Sequence, residues 1–346
     1  MSTRAKIFAF FILLTALPVQ GADHGKSSAF PGYSARRAAK EARNHRLELP
    51  KGIEDDAPTL RLSLPGTGLE SSPLPLQKSS EANLRTHVDY LSANLCKGRG
   101  CASGGAMAAL RYVETRMTQF GLDVHTDFYG GAAGGSNVVG IHRAGRSSRY
   151  VLVLCSYDGL GTLSGNVYPG ADANCSGVAA MLELARHHTD FIRTNVVFAA
   201  VDGHHQGMTG SKALWNWLGS HGINPYYITM VINLDTMGSS LVPPDGAGKS
   251  YLMALGGAPF SRTFRNCNEG LGLSLSYDYY GSQKFTDMFY RRVSDHKPFL
   301  DRGIRCVMFT SGITDNTFRR TDTASTLDYP VFADRVEFIR RWIYLL

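Results

Sequence analysis

Several apolar segments of strand length alternate in this sequence with segments that have the periodicity of a helix. The segments YVLVLC, NVVFAAV and YYITMVINLD are almost continuously apolar and begin at residues 150, 195 and 226. Strands that are apolar on both faces are typical of a mostly parallel sheet that helices cover on both sides. The pattern therefore predicts an α/β fold with three layers, in which a mostly parallel, twisted central sheet lies between helices.

Helical spacing of apolar residues predicts two helices ahead of the first strand. The first contains Leu84, Val88 and Leu91, and the second ends at Gly121, a residue type that commonly stops a helix. The glycine-rich segment 127–137 predicts a hairpin turn between two strands. Further helices and strands are predicted at 175–188, 210–219, 250–255, 260–270, 305–310 and 329–345.

The N-terminus has the pattern of a signal peptide. Arg4 and Lys6 precede an apolar run of 13 residues, IFAFFILLTALPV, and small residues follow at 19–21, where a signal peptidase would cut. The run is shorter than the roughly 20 residues that a membrane-spanning helix needs. We therefore predict a signal peptide at 1–21, an exported protein that is periplasmic or secreted, and no stable membrane span after signal removal.

Composition divides the rest of the chain into two parts. Residues 22–80 are rich in Ser, Pro, Gly and charged residues and have little apolar periodicity, which is typical of a poorly ordered leader or tether. The periodicity is sustained beyond this segment, so one α/β domain is predicted at 81–346. A docking role for the leader, in which it binds a structural partner, stays open.

Net charge bears on which classes of partner the protein could bind, and the positions of the cysteines bear on which disulfides could form. The formal charge of +7 falls to +5 when the two basic residues of the signal peptide leave (7 minus 2). The sequence has no basic face interleaved with aromatic residues, so no nucleic acid partner is predicted. Cys96 and Cys101 flank a four-residue loop that a disulfide could close, whereas Cys155 and Cys175 fit buried free thiols.

Acidic residues and histidines follow the predicted strands, where loops commonly carry function. In a sheet of this kind, ligands bind at the carboxyl ends of the strands. Carboxylate oxygens and imidazole nitrogens are also ligands that zinc prefers. We therefore expect these side chains to meet at one edge of the sheet. They are Asp158, Asp172, His204, His205, Asp235, Asp295 and His296.

The order of the motifs resembles the zinc-dependent aminopeptidase superfamily, which includes secreted bacterial leucyl aminopeptidases and glutaminyl cyclases. The resemblance covers residues 81–346 and rests on the order of the blocks rather than on any single one. It implies the α/β fold of zinc exopeptidases. The blocks are LCKGRGCASGGAMAALRYVETRMTQFGL, SNVVGIHRAG, CSYDG, PGADANCSGVAAMLELAR, VVFAAVDGHHQGMTGSKAL, INLDTMG, VSDHKPFLDRGI and TDTASTLDY.

The resemblance also implies which positions hold metal ligands, and several of them have changed residue type. Active relatives have a His-x-Asp turn after the strand, but Ser156 replaces the histidine, and Asp158 matches the aspartate that orients it. In the next motif Asp172 matches the first aspartate, but Ala173 replaces the second, which bridges two zinc ions in relatives. A methyl group offers a metal no lone pair.

The remaining functional positions are altered in the same way. His204 stands at the position of the general base and His205 at that of the next ligand, where relatives have Glu-Glu. Asp235 keeps its residue type, whereas Phe318 replaces the last histidine ligand. His296 matches a different, pocket-lining motif. The single-zinc cyclases use the second aspartate position together with those of His205 and Phe318, and none of the three keeps its residue type.

A single-zinc enzyme needs three protein ligands and an open position for water. We therefore predict an aminopeptidase-like protein that has lost its zinc site, with no cofactor, no catalytic residue and a pocket for a peptide or protein ligand. The pocket residues are Ser156, Asp158, Asp172, Ala173, His204, His205, Asp235, His296 and Phe318.

One alternative stays open at this point. An active zinc-dependent aminopeptidase or glutaminyl cyclase-type enzyme would need a remodelled metal site, for which the candidates are Asp172, His205, Asp235 and His296. A nucleophile at Ser156, with a neighbouring histidine as its base, is disfavoured, because the sequence has no nucleophile elbow or oxyanion arrangement there and Ser156 fits a small filler residue.

Overall fold

The computed structural model of the chain describes residues 79–131, 134–145 and 147–346. The predicted signal peptide at 1–21 and nearly all of the predicted leader at 22–80 lie outside the described residues. Within the described ranges, no helix combines the length and the apolar character that crossing a membrane requires.

Helices and strands alternate along the described chain, and their ends lie close to those predicted. The first half contains α1 (Glu81–Ser92), α2 (Gly104–Gln119), β1 (Asp123–Phe128), β2 (Ser136–His142), β3 (Tyr150–Ser156), β4 (Thr162–Leu163), β5 (Asn166–Val167), α3 (Gly177–Arg186) and β6 (Asn195–Val201). The second half contains α4 (Thr209–Ser220), β7 (Ile228–Leu234), β8 (Tyr251–Leu255), α5 (Ser261–Cys267), β9 (Ser274–Ser276), α6 (Gln283–Arg291), α7 (Lys297–Leu300), β10 (Cys306–Thr310) and α8 (Tyr329–Leu345).

Serine caps start the first two helices. The side chain of Ser80 accepts the backbone N–H of Asn83 at 3.3 Å, and that of Ser103 accepts the N–H of Ala106 at 3.2 Å. Each cap satisfies one of the N–H groups that a helix leaves without an internal partner. The carboxylate of Glu183 on α3 also accepts the N–H of Ser80 at 2.7 Å, which ties the beginning of α1 to the body of the fold.

Eight strands form one twisted sheet in the order β1-β2-β6-β3-β7-β10-β8-β9. Its centre is parallel, from β6 through β3 and β7 to β10, and β8 and β9 are also parallel. The pairs β1–β2, β2–β6 and β8–β10 are antiparallel. The short connection between β1 and β2 permits only an antiparallel hairpin, as predicted. The predicted α/β architecture is confirmed, with a sheet that is mixed rather than uniform.

Helices cover both faces of the sheet, which explains why its central strands are apolar at every position. Successive side chains of a strand point to opposite faces. In β3, Val151 and Val153 belong to the core cluster under α1, α2, α3, α5 and α8. Leu152 and Leu154 belong to the cluster under α4 and α7. Both sets are fully buried.

Helix α6 was missed by the sequence analysis. Its N-cap is Ser282, whose side chain accepts the N–H of Phe285 at 3.4 Å. None of the residues in α6 is fully buried. Phe285, Met288 and Phe289 nevertheless stand at helical spacing, and Phe285 and Phe289 pack against the buried cluster around Tyr251 and Tyr279, so the sequence did carry a signal for this helix.

All six cysteines are buried and free. The disulfide considered between Cys96 and Cys101 is not formed. The Sγ atom of Cys96 instead lies 3.5 Å from the carbonyl oxygen of Tyr90, and Cys101 lies beside the carboxylate of Asp202. Burial raises the pKa of the Cys96 thiol to about 11, which disfavours the reactive thiolate. Cys155 and Cys175 are buried free thiols, as predicted.

Candidate functional site

The loops at the carboxyl ends of the central strands enclose a cavity of about 700 Å³, a volume that includes space open to solvent. In the part of the chain that the structure describes, two residues of the predicted pocket do not line this cavity. They are Asp172 and His296. The other seven do. They are Ser156, Asp158, Ala173, His204, His205, Asp235 and Phe318.

His204 forms an ion pair at the cavity. It begins a short turn after β6, next to Gly203, whose φ of 73° and close approach to Thr209 leave no room for a Cβ. The Nδ1 atom of His204 lies 2.7 Å from Oδ2 of Asp295. Burial alone lowers the pKa of His204, but the ion pair with Asp295, helped by nearby carboxylates, raises it to about 10. The side chain is therefore an imidazolium at neutral pH.

Asp158 supports the turn that carries the two histidines. Its Oδ1 accepts the backbone N–H of His204 at 3.1 Å, and its Oδ2 accepts that of His205 at 3.5 Å. Burial raises the pKa of Asp158 to about 8, with a further contribution from Asp202. The aspartate that would orient a histidine ligand at position 156 thus holds the backbone of the neighbouring loop instead.

His205 is neutral and faces an aromatic wall. Its ring meets that of Phe318 edge to face, with centroids 5.5 Å apart and an interplanar angle of 73°. Burial, together with the positive charge of His204, lowers the pKa of His205 to about 3. Phe318 itself has a positive φ of 59°.

The loop at 170–177 presents a methyl group to the cavity. Ala173 lines the cavity, whereas Oδ1 of Asp172 accepts the N–H of Gly238 at 2.8 Å and the hydroxyl of Ser176 at 3.0 Å. The carboxylate of Asp322 accepts the N–H groups of Asp172 and Ala173 at 2.8 and 3.1 Å. Burial raises the pKa of Asp322 to about 7. Asp322, in the TDT motif, therefore positions this loop.

Asn174 is a functional-loop residue that sequence reasoning missed. Its Nδ2 donates to the carbonyl oxygens of Ser156 and Leu234 at 3.2 and 3.0 Å. Its Oδ1 accepts the N–H groups of Gly177 and Thr236 at 3.2 and 3.0 Å. One buried amide thus joins the loops after β3 and β7 to the start of α3. The available signal was its place in the GADAN motif, directly after the altered ligand position.

Asp235 and His296 have different surroundings. Asp235 lines the cavity and is partly exposed; burial raises the pKa of its carboxyl, while His204 lowers it. His296 is fully buried, and its Nε2 lies 2.6 Å from the carbonyl oxygen of Tyr290. Burial lowers the pKa of His296 to about 4. The sequence analysis named Asp295 without a role, and the structure makes it the partner of His204.

One side of the cavity is apolar. The side chains there are Tyr279, Phe289, Val293, Met308, Ile313 and Phe318. The hydroxyl of Tyr279 accepts the N–H of Ile313 at 2.9 Å, so its polar end is satisfied while its ring faces the cavity. Ligand pockets commonly combine such a wall with a few placed polar groups.

The donor atoms at the cavity do not fit a zinc ion. Within the described part of the chain, no group of three or more His, Cys, Asp or Glu side chains is arranged to hold a metal. Ala173 and Phe318 have no lone pair to offer, and Nδ1 of His204 is paired with Asp295. The alternative set is not brought together either, because Asp172 and His296 do not line the cavity in the described structure. The absence of a cofactor stays a prediction.

Comparison with known proteins gives the family. Residues 137–343, more than half of the chain, match the family described as Peptidase family M28. A probable zinc metalloprotease of Pyricularia oryzae is 29% identical over 196 residues, which cover 49% of this chain and 38% of that protein. This chain therefore spans less than two fifths of the length of that relative.

Two solved structures have the same fold. The aminopeptidase from Aneurinibacillus sp. strain AM-1 has a TM-score of 0.61 at 13% identity, and the match covers 77% of this chain and 94% of that one. A zinc aminopeptidase from Bacillus subtilis has a TM-score of 0.61 at 14% identity, covering 79% and 96%. Because the family match extends over more than half of the sequence and the fold agrees, this chain belongs to peptidase family M28.

Proposed function

We propose that this protein binds a ligand in the cavity at the carboxyl edge of the sheet and does not hydrolyse peptides through zinc. The observation that carries the proposal is the identity of the cavity-lining residues. A serine, an alanine and a phenylalanine line the cavity at positions 156, 173 and 318. The resemblance implies that active relatives have metal ligands at these three positions.

The physical argument is the number of donor atoms. Hydrolysis by a zinc peptidase depends on a metal that lowers the pKa of bound water from 15.7 to about 7. Such a metal needs three protein ligands. At this cavity, only His205 and Asp235 combine a suitable donor type with a matching position. Two ligands fall short of that requirement, so we expect no metal-activated water.

The ligand that the site favours is a peptide or protein segment with an apolar residue. The partly exposed carboxylate of Asp235 suits an ammonium group, and the wall around Tyr279 and Ile313 suits an apolar side chain. No nucleic acid partner is expected. The loss of catalysis leaves a binding protein of the aminopeptidase type.

Metal analysis and an activity panel test the proposal together. Purified full-length protein is dialysed against zinc, its metal content is measured by mass spectrometry, and turnover is assayed with aminoacyl and N-terminal glutaminyl substrates, with and without a chelator. We expect zinc well below one ion per chain and no turnover that the chelator removes. One bound zinc per chain with chelator-sensitive turnover overturns the proposal.

A repaired variant sharpens the same experiment. Ser156→His, Ala173→Asp, His205→Glu and Phe318→His together return the residue types that the resemblance implies for active relatives. We expect zinc retention to rise toward one or two ions per chain in this variant, while His205→Ala alone leaves the zinc content of the wild type unchanged. A folded repaired variant that gains no zinc contradicts the argument from donor atoms.

The alternative is an active zinc enzyme with a remodelled metal site. It is favoured by the name of the Pyricularia oryzae relative, a probable zinc metalloprotease. It requires ligands to move into the cavity from where Asp172 and His296 lie. The metal analysis above decides between the two, because a remodelled site retains zinc in the wild-type protein.

Export is a separate part of the proposal. Arg4 and Lys6 followed by an apolar run support a signal peptide, and the small residues at 19–21 support cleavage there. Cell fractionation with N-terminal sequencing tests this: we expect mature protein outside the cytoplasm that begins close to residue 22. Full-length protein in the cytoplasm contradicts it.

A further inference from the structure

We infer that His142 and His188 form an acid-sensitive pair, which holds one proton between its two Nδ1 atoms and separates when a second proton binds. His142 is the last residue of β2, and His188 begins the short turn after α3. His142 lies opposite Val196 at the start of β6, so the pair is at the edge of the sheet away from the cavity. The inference is therefore independent of the proposed function.

The two rings meet nitrogen to nitrogen. The Nδ1 atoms of His142 and His188 are 2.9 Å apart, which is a hydrogen-bond distance. The other nitrogen of each ring faces a main-chain carbonyl oxygen. Nε2 of His188 lies 2.8 Å from the oxygen of Phe120. Nε2 of His142 lies 3.2 Å from the oxygen of Phe191. The pair thus makes three contacts of hydrogen-bond length.

The number of protons decides which of these contacts can be hydrogen bonds. A carbonyl oxygen only accepts, so each Nε2 must carry a proton to bond it. A neutral imidazole has a single N–H, so two neutral rings that both donate through Nε2 leave two bare Nδ1 lone pairs face to face. One added proton completes all three hydrogen bonds. A further proton places two Nδ1–H groups against each other, and the rings must then separate.

The end of helix α2 favours positive charge at this pair. Phe120 is the C-cap of α2, and its carbonyl oxygen lies at the end where a helix leaves oxygens without internal partners. Histidine side chains commonly bond such oxygens, and the helix dipole favours the protonated form of the ring there. The contact between His188 and Phe120 therefore supports a cation on the pair.

The charged groups next to the pair are already engaged. Among the described residues, none forms an ion pair with either ring. Asp190 in the turn acts on His188, but its carboxylate pairs with Arg340 of α8 at 2.9 Å. The ion pairs around the two rings involve Asp190, Arg340, His187, Asp123 and Arg143. The added proton is therefore shared by the two imidazoles and not by a neighbouring acid.

Burial sets the pH at which the protons bind. It lowers the pKa of His142 and of His188, while the hydrogen bonds to the carbonyl oxygens act in the opposite direction. The first proton therefore binds below the usual histidine value of about 6.5. The second binds at a lower pH still, because it enters beside the first. The unfolded chain takes up both protons near the usual value, so acid favours the open pair.

NMR of the full-length protein with 15N-labelled histidine tests the proton count. We expect His142 and His188 to titrate in two steps more than about one pH unit apart, with both Nε2 atoms protonated between the steps. His142→Phe keeps a ring and removes both nitrogens, so His188 should then titrate in one step. His221→Phe, at an exposed histidine stacked on Trp217, is the matched control and should leave both steps in place.

Amide hydrogen exchange measures the separation of the rings. The N–H groups of Asp190 and Phe191 donate to the carbonyl oxygens of His187 and His188 at 2.9 and 3.0 Å, so they report on the turn. Their exchange is corrected for the pH dependence of free amides. Below the second step it should become about tenfold faster for each pH unit, because the open pair binds one more proton. The His221→Phe control should behave like the wild type.

Four results overturn the inference. The two rings titrate independently near the usual histidine value, one Nε2 carries no proton at any pH, the pair stays neutral until the protein unfolds, or exchange in the turn does not change across the second step. None of them bears on the proposed function, because the metal and activity measurements concern the cavity at the other edge of the sheet.

Discussion

Buried carboxylates occur in two regions of the molecule, and the two regions neutralise them differently. Between the helices, Glu183 receives two hydrogen bonds from Arg186 at 2.6 and 3.0 Å, and Glu337 receives two from Arg340 at 2.8 and 2.9 Å. Burial alone raises the pKa of each glutamate, but the hydrogen bonds and charges of the arginines outweigh it and lower the pKa of both, most strongly that of Glu183. These groups are charged at neutral pH and fully paired.

Around the cavity, neither Asp158 nor Asp202 forms an ion pair with an arginine of the described part of the chain. Asp158 and Asp202 are as deeply buried as the glutamates, but they accept mainly backbone N–H groups, and burial raises the pKa of both. Perturbed groups of this kind cluster where a protein binds or reacts. The difference teaches that arginines keep the buried carboxylates between the helices charged, whereas around the cavity burial favours the protonated, uncharged form of Asp158 and Asp202.

The largest expected effect is a loss of stability when a buried carboxylate between the helices is removed. Glu183→Ala removes the partner of Arg186 and the acceptor of the Ser80 N–H, which leaves a buried guanidinium without its counter-charge. We expect a loss of about 3 to 5 kcal/mol in the free energy of unfolding, measured by urea denaturation. A loss no larger than that of an exposed ion pair contradicts the role assigned to this network.

The next effect concerns the amide that supports the loops around the cavity. Asn174→Ala leaves the N–H groups of Gly177 and Thr236 without their acceptor in a buried site. We expect a loss of about 1 to 3 kcal/mol in unfolding free energy. Asn166→Ala, in the exposed β4–β5 hairpin, is the matched control and should cost about 0.5 kcal/mol or less. Equal losses of unfolding free energy in the two variants would contradict the positioning role of Asn174.

A smaller effect appears as pH dependence. The folded protein holds a proton on Asp158 up to about pH 8, whereas the unfolded chain releases it near its usual pKa of about 4. Stability from this group is therefore greatest at low pH and falls as pH rises through that window. We expect Asp158→Asn to gain stability relative to the wild type by up to about 1.4 kcal/mol for each pH unit between pH 5 and pH 8. If Asp158→Asn instead loses stability relative to the wild type over this range, the raised pKa of Asp158 is contradicted.

The smallest expected effect concerns an exposed ion pair, which serves as the reference for the buried groups. Asp287 and Arg291 form an exposed ion pair on α6, with side chains 45% and 63% exposed. Such pairs are screened by water and salt, so Asp287→Asn should change the unfolding free energy by less than about 0.5 kcal/mol. Urea denaturation at low and high salt measures it. A change above 1 kcal/mol would mean that charge on α6 matters in its own right.

The fold was largely predictable from the sequence, because strands that are buried on both faces are apolar at nearly every position. A strand such as β3 must be apolar at successive positions when helices cover the two sides of the sheet. Helix α6 was also predictable, because Phe285, Met288 and Phe289 stand at helical spacing even though none of its residues is fully buried. The antiparallel pair β1–β2 follows from its short connection, whereas the antiparallel pairs β2–β6 and β8–β10 join strands that are far apart in the sequence.

The site was predictable in its residue types but not in its contacts. The spacing of the motifs located Ser156, Ala173 and Phe318. The ion pair between His204 and Asp295 joins residues 91 positions apart, and only the topology of the sheet brings them together. Asp158 kept its residue type and changed its partner, which no pattern in one sequence records.

The six buried, unpaired thiols have a practical consequence for the life of the molecule. Because no disulfide joins them, the folded structure does not depend on disulfide formation. The same thiols can report local unfolding. A buried thiol reacts with an alkylating reagent only when the structure around it opens, so the position of each adduct identifies the part that opened.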